Sequence, residues 1–115
     1  MQTQAPFEQV KLRLQRRREE LTVRLAAVKS ELAREAEPLS ADFAEQAGQR
    51  ENDDVLNALR ATTESELREL DAALERLRAG RYGECRRCGE PIEPRRLEAV
   101  PYADCCSQCA SQGSR

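Results

Sequence analysis

Apolar residues recur through the first third of the chain at intervals typical of one face of an α-helix. They lie mostly three, four or seven positions apart, and Lys, Arg, Glu and Gln fill the other faces. Pro6 suits a first helical turn, whereas Pro38 disfavours helical backbone at the residue before it. The pattern therefore predicts one long helix that ends near Pro38. The apolar positions of this first seam are Phe7, Val10, Leu14, Leu21, Leu25, Val28, Leu32 and Ala36.

A second apolar seam follows in the middle of the chain. Asn52, Asp53 and Asp54 precede it and offer N-terminal caps, and Gly80 offers a C-terminal stop. The pattern predicts a second helix of similar length to the first. The members of this seam are Val55, Leu56, Leu59, Leu67, Leu70, Leu74 and Leu77.

Neither apolar seam is stable when exposed, so each helix needs a partner. Antiparallel pairing around the intervening turn buries both seams within one chain and predicts an elongated monomer, roughly 45 Å long for helices of about thirty residues. A parallel homodimeric coiled coil is the alternative. It is disfavoured because Arg17 and Thr63 interrupt the heptads and because the turn already supplies a partner.

The cysteines indicate a metal site after the second helix. Cys85 and Cys88 form one CxxC element, and Cys106 and Cys109 form another after seventeen intervening residues. Two such elements can bring four sulfurs tetrahedrally around one Zn²⁺. Since the chain has no histidine, the predicted site is an all-thiolate, structural zinc site. Two disulfides, or four unrelated buried thiols, are the alternatives.

Composition narrows the class of protein. Of 115 residues, 35% are charged and only two Phe and two Tyr are aromatic, which disfavours a large globular core. With no bilayer-length apolar run and no signal-peptide pattern, we expect a cytoplasmic protein without membrane association, whose thiols stay reduced. No nucleophile is paired with a base, so no enzymatic activity is expected. The formal net charge of −2 disfavours a globally cationic nucleic-acid binder.

The segment between the helices carries a possible cap. Asp42 is followed three residues later by Glu45, the spacing of a capping box at a helix start. The same carboxylates would also be presented at the turn of the hairpin. Phe43, between them, is either a local staple or an exposed contact.

Three stretches around the cysteines form a further pattern. They read GRYGECRRCGEPI at 80–92, RRLEAVP at 95–101 and ADCCSQC at 103–109. Together with the paired helices, they resemble the DksA/TraR family of RNA polymerase secondary-channel regulators. The resemblance implies an all-α fold, with an antiparallel coiled-coil hairpin over 1–80, an acidic tip at about 38–50 and a C4 zinc-finger module over 81–115. Its register leaves Cys105 as a bystander; choosing Cys105 as a ligand would lengthen the second knuckle.

The resemblance also implies which residues contact the polymerase. The family has a tip motif of Asp, two residues, Asp, one residue and Ala, which is inserted toward the polymerase active site. Asp42 and Ala47 match this motif, and Glu45 stands where the second Asp is expected. Because glutamate keeps the charge and adds a methylene, the acidic contact either survives in a shifted position or is lost.

The residues expected to bind a nucleotide effector match the family less well than the tip motif does. In DksA members of the family, ppGpp binds at the polymerase interface through basic side chains. The corresponding positions here are Thr62, Glu66, Glu69 and Ala110. Carboxylates repel an anionic ligand, so we expect weak or absent ppGpp dependence through this surface.

Two basic clusters suggest an alternative function. The first, in the helix, comprises Lys11, Arg13, Arg16, Arg17 and Arg18, and the second, around the cysteines, comprises Arg81, Arg86, Arg87, Arg95 and Arg96. The first is most simply a solvated helix face, and aromatic residues for stacking on single strands are missing. The sequence thus favours a regulator that binds RNA polymerase without direct DNA binding. A zinc-finger nucleic-acid binder or a coiled-coil adaptor remains the alternative.

Overall fold

The computed structural model describes residues 4–35 and 43–112. Within those ranges the chain is helical and forms no strand, with one isolated antiparallel bridge between Glu84 and Pro91. The helices are α1 (Gln4–Glu35), α2 (Phe43–Arg78), α3 (Pro94–Ala99) and α4 (Ser107–Ser111). None of the described helices is both long enough and apolar enough to cross a membrane.

Helices α1 and α2 form the antiparallel hairpin that the sequence predicts. The ring of Phe7 meets that of Tyr82 edge to face, with centroids 5.7 Å apart. Further along α1, Arg18 Nε donates to Asp71 Oδ1 at 2.5 Å. Moving forward from Phe7 to Arg18 thus corresponds to moving back from Tyr82 to Asp71, which is the relation that antiparallel helices require.

The chain divides into two compact units. One comprises Met1–Arg18 and Arg68–Arg115, and the other comprises Glu19–Leu67. In the first unit, Leu14, Leu70 and Ala73 are fully buried. In the second unit, the buried side chains of the helices are Leu21, Val28 and Thr63.

Burial along both helices follows a coiled-coil seam. Most buried and half-buried positions recur alternately three and four residues apart, as heptad packing requires. In α1 these seam positions are Val10, Leu14, Arg17, Leu21, Leu25, Val28 and Leu32, and in α2 they are Asp53, Leu56, Arg60, Thr63, Leu67, Leu70, Leu74 and Leu77. Outside this spacing, Ala73 is fully buried, and Glu31, Glu64, Ser65, Glu66 and Arg76 are half-buried.

The expected membership of the second seam is therefore partly wrong. The side chains of Val55 and Leu59 are 64% and 37% exposed, whereas Asp53 and Arg60 occupy half-buried seam positions. A long arginine stem can cover apolar surface while its guanidinium reaches the edge, where Arg60 Nε contacts Glu64 Oε2 at 3.3 Å. At these positions, burial thus follows the heptad spacing and not the hydrophobicity of the individual residue.

The start of α2 also differs from the expected one. The helix begins at Phe43, so Asn52, Asp53 and Asp54 lie inside it and do not cap it. Most of residues 43–51 are good helix formers, and Gly48 costs only about 1 kcal/mol relative to alanine. Asp42, the first member of the alternative capping box, lies outside the described residues.

The end of α2 is a Schellman motif built on Gly80. The N–H of Gly80 donates to Leu77 O at 3.1 Å, and that of Arg81 donates to Arg76 O at 2.8 Å. Gly80 has φ +77°, in the left-handed region that suits glycine. The predicted stop at Gly80 is confirmed, and the turn sends the chain into the cysteine-bearing segment.

Leu14 gives a direct test of the seam. We expect Leu14→Ala to lower the free energy of unfolding by about 2–5 kcal/mol, because the side chain is fully buried and its removal leaves a cavity. Leu12→Ala is the matched control, since Leu12 on the same helix is 56% exposed. Urea denaturation followed by circular dichroism measures both variants. Equal losses would show that the seam does not carry the stability of the hairpin.

Candidate metal centre

The first CxxC element lies in a tight knuckle. Beside the Glu84–Pro91 bridge, Cys85 N–H donates to Glu90 O at 2.8 Å, and Gly89 N–H donates back to Cys85 O at 2.9 Å. Gly89 has φ +79°, so a residue with a β-carbon would be strained at this turn. The knuckle brings Cys85 and Cys88 to one side of the loop.

The second CxxC element begins a short helix. Cys106 is the N-cap of α4, and its sulfur accepts from Cys109 N–H at 3.4 Å. Glu93 supports the same helix start, because its carboxylate accepts from Ser107 N–H at 3.1 Å and from Ser107 Oγ at 2.6 Å. These two bonds hold the pKa of Glu93 below its ordinary value, so the carboxylate is ionised at neutral pH. Nothing in the sequence pattern predicted this contact.

The four predicted cysteines converge. Their Sγ atoms all lie within 4.8 Å of one another, and Cys88 Sγ is 3.8 Å from Cys106 Sγ. In a tetrahedral site with Zn–S bonds of about 2.3 Å, neighbouring sulfurs are about 3.8 Å apart. All five cysteines are free thiols, so the two disulfides considered as an alternative are not formed. The donor set and its spacing fit Zn²⁺.

Hydrogen bonds shift the pKa values of two of these thiols in opposite directions. N–H donation, chiefly from Cys88, lowers the pKa of Cys85 to about 5. Hydrogen bonds with Cys85 and Cys106 raise the pKa of Cys109 to about 12, because they favour its protonated form. Four thiolates at these distances repel one another unless a cation lies between them. The cluster therefore has the electrostatics of a site that needs a divalent ion to become fully deprotonated.

Cys105 lies beside the cluster but outside its sulfur group. It packs against a small core formed by Cys85, Ile92 and Cys106. Burial raises the pKa of the Cys105 thiol, which keeps it protonated at neutral pH. Arg96 Nε donates to Cys105 O at 2.8 Å and fixes the backbone of this residue. The geometry agrees with the register that makes Cys105 a bystander.

Hydrogen bonds from long side chains connect the elements around the cluster, and the sequence did not predict them. Tyr82 Oη donates to Pro101 O at 2.7 Å, and Arg86 Nε donates to Asp104 Oδ2 at 2.6 Å. These pairs are nineteen and eighteen residues apart in the chain. The sequence around these residues does not indicate such pairs, because an arginine or tyrosine looks the same in sequence whether or not it has a distant partner.

Only part of the expected acidic tip falls within the described residues. Glu45 and Ala47 lie in the first two turns of α2. Asp42 precedes that helix and is outside the described ranges. The polymerase contacts expected of these residues stay predictions.

Comparison with known proteins identifies the family. Residues 10–77 match the model described as DnaK suppressor protein-like, N-terminal domain, and residues 80–112 match the prokaryotic dksA/traR C4-type zinc finger. The chain belongs to the DksA/TraR family. The zinc-finger match and the convergent sulfurs together support a structural Zn²⁺.

Solved structures from the DksA/TraR family share the fold. Transcription factor DksA2 from Pseudomonas aeruginosa is 33% identical with a TM-score of 0.82, and the match covers 95% of this chain and 83% of that one. DnaK suppressor protein from Agrobacterium tumefaciens is 38% identical with a TM-score of 0.62, covering 91% of each chain.

A curated relative is named for its partner. The RNA polymerase-binding transcription factor DksA of Haemophilus influenzae is 44% identical over 43 residues, which is 37% of this chain and 30% of the relative. The matches to curated relatives span less than half of each relative's length. Membership of the DksA/TraR family supports a DksA-like transcription factor, in a family of transcription factors and not of enzymes.

Proposed function

We propose that this chain is a transcription regulator that binds RNA polymerase and inserts the tip of its helical hairpin into the secondary channel, altering the stability of promoter complexes. The observation that carries the proposal is the likeness to DksA2, which extends over 95% of the chain and includes both the hairpin and the cysteine cluster. The name of the Haemophilus influenzae relative, an RNA polymerase-binding factor, supplies the partner.

The roles proposed for the cysteine-bearing module and for the tip motif are different. Cys85, Cys88, Cys106 and Cys109 would hold Zn²⁺, which offsets half of the charge of four thiolates and whose binding would fold a module with little apolar core. In the tip motif, Asp42, Glu45 and Ala47 would face the polymerase. Carboxylates there can favour one polymerase state over another through differential contact, without making or breaking a bond.

The proposal includes weak or absent dependence on ppGpp. Glu66 and Glu69 lie on α2 where DksA members of the family have basic side chains. An anionic effector would meet negative charge at this surface. Regulation would then depend on the amount of protein and not on this nucleotide.

Competition for the channel tests the proposed binding mode. The purified chain is expected to co-purify with core RNA polymerase and to be displaced by a transcript-cleavage factor that occupies the same channel. The control is a cleavage-factor variant unable to bind polymerase. Binding that the intact factor does not displace would place the chain elsewhere on the enzyme. Failure to bind, together with a steeply salt-dependent affinity for DNA, would contradict the proposal in favour of nucleic-acid binding.

A further inference from the structure

Tyr82 lies between the start of α1 and the cysteine-bearing segment. It follows the turn at Gly80 and precedes Cys85 by three residues, and its side chain is buried, with 8% exposed. Its ring meets that of Phe7, in the first turn of α1, edge to face with centroids 5.7 Å apart. Its Oη donates to Pro101 O at 2.7 Å. One side chain therefore contacts both α1 and the stretch that leads to the second CxxC element.

The position of Pro101 depends on both CxxC elements. Pro101 precedes Cys106 by five residues. Between them, Asp104 O accepts from the N–H of Arg86, which lies inside the first element, at 2.9 Å. The stretch from Pro101 to Cys106 is thus joined to both pairs of cysteines. An ion that holds the four sulfurs together would therefore also fix the carbonyl to which Tyr82 donates.

Tyr82 is a hydrogen-bond donor at neutral pH. Burial raises the pKa of its phenol, and the charges of Arg13 and Arg76 oppose this rise without cancelling it. The phenol therefore keeps the proton that it donates to Pro101. The influence of Arg13 also shows that α1 approaches Tyr82 at a second position, six residues after Phe7.

The start of α1 needs a tertiary contact. The first four N–H groups of a helix have no acceptor within it, so a first turn opens easily unless its side chains pack. Helix α1 begins at Gln4, and Phe7 is only 39% exposed although it lies in that first turn. An edge-to-face aromatic pair stabilises beyond the burial of its area. If Tyr82 lost its position, the first turns of α1 would loosen.

We propose that zinc binding by the four cysteines and packing of the start of α1 are coupled through Tyr82. The bound ion fixes Pro101, Pro101 holds the hydroxyl of Tyr82, and the ring of Tyr82 holds Phe7. These residues all belong to one compact unit of the chain. Coupling between two sites is reciprocal, so Phe7 strengthens zinc binding by the same factor by which zinc stabilises the packing of Phe7. The coupling does not depend on polymerase binding.

Zinc affinity tests the coupling from the side of α1. Phe7→Ala is expected to weaken zinc binding about two- to tenfold, the range that an aromatic pair contributes, although Phe7 is not a ligand. Leu12→Ala is the matched control, since Leu12 on the same helix is 56% exposed. It is expected to bind zinc as the wild type does. Competition with a chromophoric chelator measures the affinity, and circular dichroism checks that each variant keeps its helices.

Tyr82→Phe tests the link itself. It keeps the ring that contacts Phe7 and removes the hydroxyl that contacts Pro101. Zinc affinity is expected to fall. Adding Phe7→Ala in this background is expected to cause a smaller further loss than Phe7→Ala causes alone, because the connection between the ring and the cysteine cluster is already broken.

Hydrogen exchange tests the coupling from the side of the metal. Removing zinc with a chelator is expected to speed amide exchange about two- to tenfold at residues 8–14, by the same reciprocity, while residues 21–28 keep their protection. In Phe7→Ala, exchange at residues 8–14 is expected to be faster from the outset and to change less when zinc is removed.

Several results would overturn the inference. Wild-type zinc affinity in Phe7→Ala, or an equal loss in Leu12→Ala, would show that the start of α1 and the metal site are independent. Additive losses in the double variant would show that the hydroxyl of Tyr82 does not carry the coupling. Unchanged exchange at residues 8–14 after zinc removal would contradict it from the side of the metal. A wild-type chain that binds no zinc would overturn it outright.

Discussion

Cys85→Ser is expected to abolish stoichiometric zinc binding and to unfold the cysteine-bearing module while the hairpin remains helical. Among the described residues, Cys85 shares a small buried core with Ile92 and Cys106, against which Leu97, Cys105 and Cys109 pack at partial burial. Little apolar burial therefore remains to hold the module without the metal. In zinc-finger peptides, structural zinc supplies on the order of 10 kcal/mol of apparent folding free energy. Zinc released by denaturation and measured with a chromophoric chelator should fall from one equivalent per chain to near zero.

Cys105→Ser is the matched control for this experiment. It makes the same substitution twenty residues away in sequence, in the same module, at a thiol outside the group of four converging sulfurs. Full zinc content is expected in this variant. Zinc loss in Cys105→Ser together with retention in Cys106→Ser would shift the ligand register by one residue.

Asp42→Asn is expected to leave polymerase affinity within about fivefold of the wild-type value while removing the effect on open-complex lifetime. Asparagine has nearly the same shape as aspartate but lacks its charge, and a single surface ion pair typically contributes about 0–1 kcal/mol. In the proposed mechanism, the charge of Asp42 produces the regulatory effect by contacting different polymerase states to different extents, so its removal should abolish that effect. Filter retention of promoter complexes after heparin challenge measures their lifetime.

Asp54→Asn controls for a general change in the charge of α2, since Asp54 is exposed in that helix and lies outside the tip motif. It is expected to behave as wild type in both assays. If Asp42→Asn loses affinity and regulation in parallel, the tip is an affinity anchor and the proposed division of roles is wrong.

Heptad geometry explains why the sequence predicted the hairpin well but its seam less well. Leu14, Leu21 and Leu70 are apolar and buried, so periodicity alone identifies them. Asp53 and Arg60 are charged residues at seam positions, so the hydrophobicity pattern did not identify them. Val55 is apolar and was assigned to the seam, although it is exposed. The hydrophobicity pattern of one helix does not reveal where the partner helix leaves room for a charged side chain in the seam.

Residue type and spacing were sufficient to predict the cysteine cluster. A CxxC element closes a knuckle within a few residues, so the convergence of its sulfurs is a local property. The ion pair between Arg86 and Asp104 is different, because Arg86 lies within the first CxxC element and Asp104 lies just before the second. Only the folded chain brings these charges together.

Cross-linking from the tip tests directly whether the hairpin enters the secondary channel of the polymerase. A photoreactive amino acid at Gln46, within the tip motif, is activated in the complex with core RNA polymerase, and the attached polymerase peptides are identified by mass spectrometry. If the tip is inserted, we expect adducts on polymerase elements that line the secondary channel close to the catalytic centre. Adducts confined to the outer surface of the polymerase, or formed with promoter DNA alone, would contradict it.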